Sequence, residues 1–274
     1  MISINTNYGG IFAAKASSQS QATVDSAMER LSTGKRINFA KDDAAGQAIA
    51  TRLTAEIDGL AMASRNAADA QSMLDTAEGA LTETHTILLR MRELAVQSAN
   101  GTLTDLDRDH TDAEFQELEA EITRISDNTK WAGQGLIDGT AASGISFQIG
   151  EGANQTITVS IADMAASAAG LALLGQAVST AAKAQLSIAR LDTAIANVSS
   201  ERGKLGAVSN RLTSTMANLD QISINLSASK GRIEDADFAA ETGNLAKGQI
   251  LQQAATAMLA QANASKQQVL TLIR

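Results

Sequence analysis

The sequence predicts a mainly α protein: a long antiparallel coiled-coil or helical-bundle rod with a small β-hairpin, its N- and C-terminal helices paired. Three observations carry that prediction. Leu53, Leu60, Ala67, Leu74, Leu81, Leu88 and Ala95 recur every seventh residue, and Ala63, Ala70, Ala77 and Met91 follow members of that series by three. Three-and-seven spacing places both sets on one stripe of a continuous helix about 60 Å long. A second stripe of similar length returns near the other end of the chain, through Ile188, Leu191, Ile195, Val198, Leu205, Val208, Leu212, Met216, Leu219, Ile222 and Leu226, with Arg202 taking one seam place. The third observation is composition: aromatic residues are 3% of 274 and proline is absent. Thin Ala/Leu seams need few aromatics, and interior proline costs a helix about 3 kcal/mol.

Composition also excludes function classes. With no cysteine there is no disulfide framework and no thiolate metal site. The balance of 22 basic against 30 acidic residues gives −8, and no broad basic face argues for nucleic acid. No apolar run approaches the roughly 20 residues of a membrane span, so no membrane insertion is expected. The opening Met1-Ile-Ser-Ile-Asn-Thr-Asn-Tyr8 lacks a basic n-region and an apolar h-region. Any export therefore needs a route other than a cleaved signal peptide.

In chain order, residues 1–35 read as a weakly charged amphipathic helix with Ile4, Tyr8, Ile11, Phe12, Val24, Met28 and Leu31 as its apolar members. Gly9-Gly10 weakens its first turn. Such a helix is marginal alone and calls for partners that order it. Asp42 and Asp43 suit the N-terminus of the next helix, expected over 44–99 and stopped at Asn100-Gly101. A shorter helix over 104–128 starts at Thr104 or at Thr111, where Thr111 and Glu114 form a capping-box pattern. Its stripe of Phe115, Leu118, Ile122 and Ile125 folds back on the long helix. Strict alternation at Ile145, Phe147 and Ile149, and again at Ile157, Val159 and Ile161, predicts a β-hairpin over 144–161. Ala165 to Gly170 is a low-complexity join. The returning helix spans 180–229 and is interrupted at Gly231. A last helix carries Ile250, Ala254, Met258, Ala262, Val269 and Ile273.

Little here points to chemistry. His85 sits beside the first seam, and neither it nor His110 belongs to a His-Glu-x-x-His motif. Asp105, Asp107 and Asp109 begin like a calcium loop, but His110 holds the turn-glycine place and Gln116 the glutamate place. Gly34-Lys35-Arg36 lacks the spacing of a phosphate loop. No catalytic residue, cofactor or metal site is expected.

Particular segments resemble bacterial flagellin. In the first half they are Leu31-Ser-Thr-Gly-Lys-Arg-Ile-Asn38, Ala63-Ser-Arg-Asn-Ala-Ala-Asp69, Thr76-Ala-Glu-Gly-Ala-Leu81 and Met91-Arg-Glu-Leu-Ala-Val-Gln-Ser-Ala-Asn100. The returning half agrees at Val198-Ser-Ser-Glu-Arg-Gly-Lys-Leu-Gly-Ala207, Ile224-Asn-Leu-Ser-Ala228, Arg232-Ile-Glu-Asp-Ala-Asp-Phe238 and Gln249-Ile-Leu-Gln-Gln253. The resemblance maps a filament-core domain onto 1–45 and 230–274 and a rod domain onto 46–229. It is to a minimal form, since Ser160 to Met164 passes straight into the returning half where many flagellins carry outer domains. Two further departures are Trp131-Ala-Gly133, where the family often has Phe-Asn-Gly, and Lys266 near a common proline position.

The resemblance implies a structural subunit that polymerises into the flagellar filament for motility, its terminal helices folding as it assembles. It implies export through the flagellum's own apparatus to the cell exterior. The implied partners are identical copies, an export chaperone at the C-terminal helix, filament-cap and hook–filament junction proteins, and an innate-immune receptor reading a surface at Arg90, Leu94 and Glu114. The expected self-assembly residues are Ile4, Tyr8, Ile11, Phe12, Met28, Leu31, Ile250, Met258, Val269 and Ile273. The expected rod seam comprises Leu53, Leu60, Leu74, Leu81, Leu88, Ile188, Ile195, Leu212 and Leu219. The rival reading is a cell-surface binding module or adhesin on the same rod, with Trp131 and Tyr8 as its aromatic candidates.

Overall fold

A computed structural model of the chain describes residues 6–272, with side chains through residue 266. Five helices carry the chain: α1 (Tyr8–Thr33), α2 (Ala44–Ser98), α3 (Asp105–Asn128), α4 (Ala181–Glu234) and α5 (Phe238–Leu272). Between α3 and α4 lie two short antiparallel pairs, β1 (Lys130–Trp131) with β2 (Gln134–Gly135) and β3 (Ile145–Gln148) with β4 (Thr156–Val159). The chain forms two compact units, one from its two ends up to Ile57 and from Ile224, the other Asp58–Ser223.

Local chemistry sets the helix ends. Asn7 caps α1 by accepting from the Gly10 amide at 3.0 Å, and α1 stops where Gly34 turns left-handed at φ 71°. Asp43 accepts from the Gly46 amide at 2.9 Å and starts α2. Its neighbour Asp42 instead receives the amides of Asn38 and Phe39, tying the preceding turn. Thr104 and Asp107 form the capping box of α3. Of the two expected starts this selects Thr104; Thr111 lies buried inside the helix with its hydroxyl donating to the Arg108 carbonyl. Asp237 receives the Ala239 and Ala240 amides ahead of α5. Gly231 does not interrupt the returning helix, because α4 continues to Glu234. A single glycine costs only about 1 kcal/mol, too little to break a helix of 54 residues.

The unit Asp58–Ser223 is organised on the α2 stripe. Leu60, Ala63, Ala67, Ala70, Leu74, Ala77, Leu81, Leu88, Met91 and Ala95 are all buried. Antiparallel α4 supplies Leu191, Ala194, Val198, Leu205 and Leu212. Its Ile188 and Ile195 are only half-buried, flanking a seam in which smaller Ala184 and Ala194 take the innermost places. Leu53 and Leu219 are buried as well, whereas Ile222 is exposed. Three polar ties register α2 against α4: Gln71 to Ser209 at 2.8 Å, Arg202 to Glu78 at 2.8 Å and Arg92 to Asp192 at 2.6 Å. So Arg202, the polar place in the stripe, is an ion pair at the seam's edge. Helix α3 runs antiparallel to α2, with Phe115 and Ile122 buried and Leu118 and Ile125 half-buried.

Arg108 joins α2 to α3. It is buried, and its guanidinium donates to the Ser98 carbonyl at 3.0 Å, to the Asn100 carbonyl at 3.1 Å and to Asp105 at 3.0 Å. Those carbonyls lie at the C-terminus of α2, where four acceptors lack helical partners. Beyond α3, β3 pairs with β4 in the register Ile145↔Val159 and Phe147↔Ile157. The low-complexity join and the residues flanking it are packed core: Ala166 and Ala168 are buried in the join, and Met164, Leu171, Leu173 and Val178 on either side of it. Irregular backbone can be buried only if its polar groups are met. Here Glu201 accepts from the Ala162 amide at 3.0 Å, Asn197 donates to the Gly170 carbonyl at 2.6 Å, and Asp112 accepts from the Val178 amide at 2.6 Å.

Candidate self-assembly surface

The unit built from the chain ends pairs α1 antiparallel with α5. The shared seam is made of small residues. Gly10, Ala13, Ser20, Val24 and Ala27 are buried on α1, and Gly248 and Ala255 on α5. Small seams let backbones approach. A Cβ placed on Gly248 would meet Val24 Cγ2 at 2.7 Å and the Val24 backbone nitrogen at 3.5 Å. Polar pairs hold the register along the helices: Arg30 with Glu241 at 2.9 Å, Gln252 with Gln21 at 2.5 Å, and Asn7 with Asn263 at 3.2 Å. Glu241 is buried, and the Arg30 guanidinium holds its carboxyl below the ordinary range.

At the base of the pair the two connecting strands clip together. Lys35 and Asp235 form an antiparallel bridge. The Ala236 amide donates to the Gly34 carbonyl at 2.9 Å, and the Arg36 amide donates to the Glu234 carbonyl at 2.6 Å. Lys35 Nζ lies 2.5 Å from the Glu234 carboxylate. This clip was not legible as such, because its contacts join residues about 200 positions apart through backbone atoms.

Since the seam consumes the small residues, the large apolar ones point away. Tyr8, Ile11 and Phe12 are between 60% and 73% exposed. Met28, Ile250 and Met258 are exposed too, and Leu31 is half-buried. Ile4, Ile273 and the side chain of Val269 lie outside the described residues. Phe238 and Leu251, which the periodicity did not single out, add to the exposed apolar set. Gly9, Phe12, Ala13, Met258, Gln261, Ala262 and Ser265 line a shallow groove between the two helices. Large apolar side chains left exposed on one helix pair make it the candidate interaction surface.

The proposed receptor surface needs one correction. Arg90 is exposed and pairs with Glu114 at 2.8 Å and Glu93 at 3.1 Å. Leu94, however, is 1% exposed and packs in the core, so it presents no side chain at a surface. It belongs to the same buried core cluster as Phe115 and Met91. Among the described residues no group of three or more His, Cys, Asp or Glu is placed to hold a metal ion, and no helix is long and apolar enough to cross a membrane.

Comparison with known proteins agrees with this geometry. The bacterial flagellin N-terminal helical region matches residues 4–142, and the bacterial flagellin C-terminal helical region matches residues 188–273. The flagellin of Halalkalibacterium halodurans is 46% identical over 248 residues, which cover 90% of this chain and 91% of that one. The flagellin of Bacillus subtilis is 41% identical over 304 aligned residues, covering 99% of each chain. Among solved structures, Bacillus cereus flagellin superposes with a TM-score of 0.51 at 35% identity, covering 57% of this chain and 88% of that one. The chain thus belongs to the bacterial flagellin family, whose members are structural subunits of the flagellar filament.

Proposed function

We propose that copies of this chain bury the outward faces of α1 and α5 in one another, and that the terminal helices gain lasting order only as the filament grows. The observation that carries this reading is the division of labour in the pair. Its own seam uses small residues, and Tyr8, Ile11, Phe12, Met28, Ile250 and Met258 are left on the surface. Isolated helices with thin seams are marginal in water. Burying a large apolar side chain contributes about 1.5–3 kcal/mol, so neighbours that cover these residues supply what the lone pair lacks. The filament-core domain is then 1–45 with 230–274, and 46–229 is the independently folded part. The buried seam of the latter includes Leu60, Leu74, Leu81, Leu88 and Leu212.

The same reading places the subunit outside the cell after export without a cleaved signal peptide. An export chaperone covers the C-terminal helix before assembly, and cap and junction proteins bound the filament. Receptor recognition, if the chain is read in this way, rests on Arg90 and Glu114 and not on Leu94. No catalysis is involved.

Deleting residues 1–35 or 240–274 tests the proposal. Each truncation should remain soluble and helical and should fail to form filaments. Sedimentation of either truncation as filaments would refute it.

A further inference from the structure

We propose that the turn Asn100–Gly101 modifies itself, converting Asn100 to isoaspartate, with Arg108 directing which bond opens. Asparagine is among the chemically labile residues of proteins. Its carboxamide carbon is open to attack by the next residue's backbone nitrogen when that nitrogen is unhindered. Three features meet that requirement here. Asn100 and Gly101 are both exposed, just past the end of α2. The Asn100 Oδ1 accepts from the Thr102 amide at 3.3 Å, which folds the carboxamide over the Gly101 peptide as an Asx-turn. Among the described residues the Gly101 amide donates to no acceptor, and no heavy atom lies within 4 Å of where its Cβ would be.

The step balances without an oxidant or reductant. The Gly101 nitrogen attacks Asn100 Cγ and gives up its proton. A new nitrogen–carbon bond closes a five-membered imide, the Cγ–Nδ2 bond breaks, and ammonia leaves. Water then opens the imide. Attack at Cγ gives aspartate. Attack at the backbone carbonyl carbon gives isoaspartate, with the chain running through the side chain and the former backbone carbonyl released as a carboxylate.

Arg108 sits where it affects both halves. Its Nη2 donates to the Asn100 carbonyl oxygen at 3.1 Å. That carbonyl shares its peptide group with the Gly101 amide, so a cation on the oxygen makes the amide proton more acidic and the attack easier. In the imide the same contact polarises the backbone carbonyl for water. In the isoaspartate product it becomes a charge-assisted bond to the new carboxylate. The consequence is local. The Asn100 carbonyl also receives the Leu103 amide at 3.4 Å, and the added methylene in the main chain displaces it, loosening the α2–α3 turn in subunits that have aged.

The experiment uses the full chain. Purified protein is incubated at mildly alkaline pH and mapped by mass spectrometry that separates aspartate from isoaspartate. Isoaspartate at position 100 should accumulate several-fold faster than any change at exposed Asn154, and faster at higher pH. Gly101→Ala, which the open space accommodates, should slow it several-fold with the fold intact. Unfolding the wild-type chain in urea should lower the share of isoaspartate relative to aspartate, because the Arg108 contact is lost. Conversion no faster than at Asn154, or unchanged in Gly101→Ala, would overturn the site. An isoaspartate share unaffected by urea would overturn the role of Arg108.

Discussion

Gly248→Ala separates two effects that ordinarily travel together. On helix propensity alone the substitution favours α5 by about 1 kcal/mol. In the pair, the new Cβ falls 2.7 Å from Val24 Cγ2 and 3.5 Å from the Val24 backbone nitrogen. Valine is held to one side-chain rotamer in a helix, so its methyl cannot swing aside, and the helices must part. Overpacking of this kind costs about 1–3 kcal/mol. The sum is a net loss of up to about 2 kcal/mol. If it falls entirely on assembly, each 1.4 kcal/mol raises the critical concentration for polymerisation about tenfold. Gly243→Ala is the control. It brings the same propensity gain on the same helix with no heavy atom within 4 Å of the new Cβ. The assay is the critical concentration read by sedimentation across a dilution series, with filament melting followed by circular dichroism. Gly248→Ala should polymerise worse than wild type and Gly243→Ala no worse. A Gly248→Ala protein that polymerises as readily as wild type would show that close backbone approach does not set this pair.

Further expectations follow from other sites. Ala132 occupies the first central position of the β1–β2 turn at φ 49°, with Gly133 at φ 84°. Left-handed backbone costs a residue with a Cβ about 1–2 kcal/mol, so Ala132→Asn or Ala132→Gly should raise the melting temperature of the unit Asp58–Ser223. Arg108→Ala removes the donor to the buried Ser98 carbonyl and one of two donors to the Asn100 carbonyl and should destabilise that unit by about 1–3 kcal/mol, measured by urea unfolding. The carboxyl of Glu241 is held low by Arg30. Its stabilisation of the α1–α5 pair is therefore present above the ordinary carboxylate range and lost as pH falls through the lowered value. Glu241→Gln should flatten that acid dependence in filament disassembly. Glu119 behaves oppositely: burial pushes its carboxyl up, against a hydrogen bond from the Gly175 amide. Its charged form is the costly one, so Glu119→Gln should raise thermal stability at neutral pH, and the gain should vanish in acid.

The α2 stripe was legible because seven-residue spacing is a property of the helix itself, and Leu60, Leu74, Leu81 and Leu88 are buried wherever such a helix finds a partner. Two stretches stayed open in the sequence, for opposite reasons. Thr111 with Glu114 satisfies a capping pattern, but Thr104 with Asp107 satisfies it earlier in the chain, ahead of buried Arg108, and the earlier start wins more helix. The alanine-rich join read only as low complexity because small side chains carry little hydrophobic signal. It and its flanks are core because side chains distant in sequence meet their backbone polar groups: Asn197 donates to the Gly170 carbonyl, and Glu201 and Asp112 accept from the Ala162 and Val178 amides.

By itself, then, the amino-acid order determined which segments are helical, their two long apolar stripes and the hairpin between them, since periodicity and capping act over a few neighbouring residues. Only the tertiary structure decided that α1 and α5 meet through glycine, alanine and serine, sending Tyr8, Phe12 and Met258 outward. It also decided that Leu94 is core and that Arg108 closes α2. Which face of a helix goes inward depends on how closely a partner's backbone can come, and that distance is a property of two segments together, written in neither one alone.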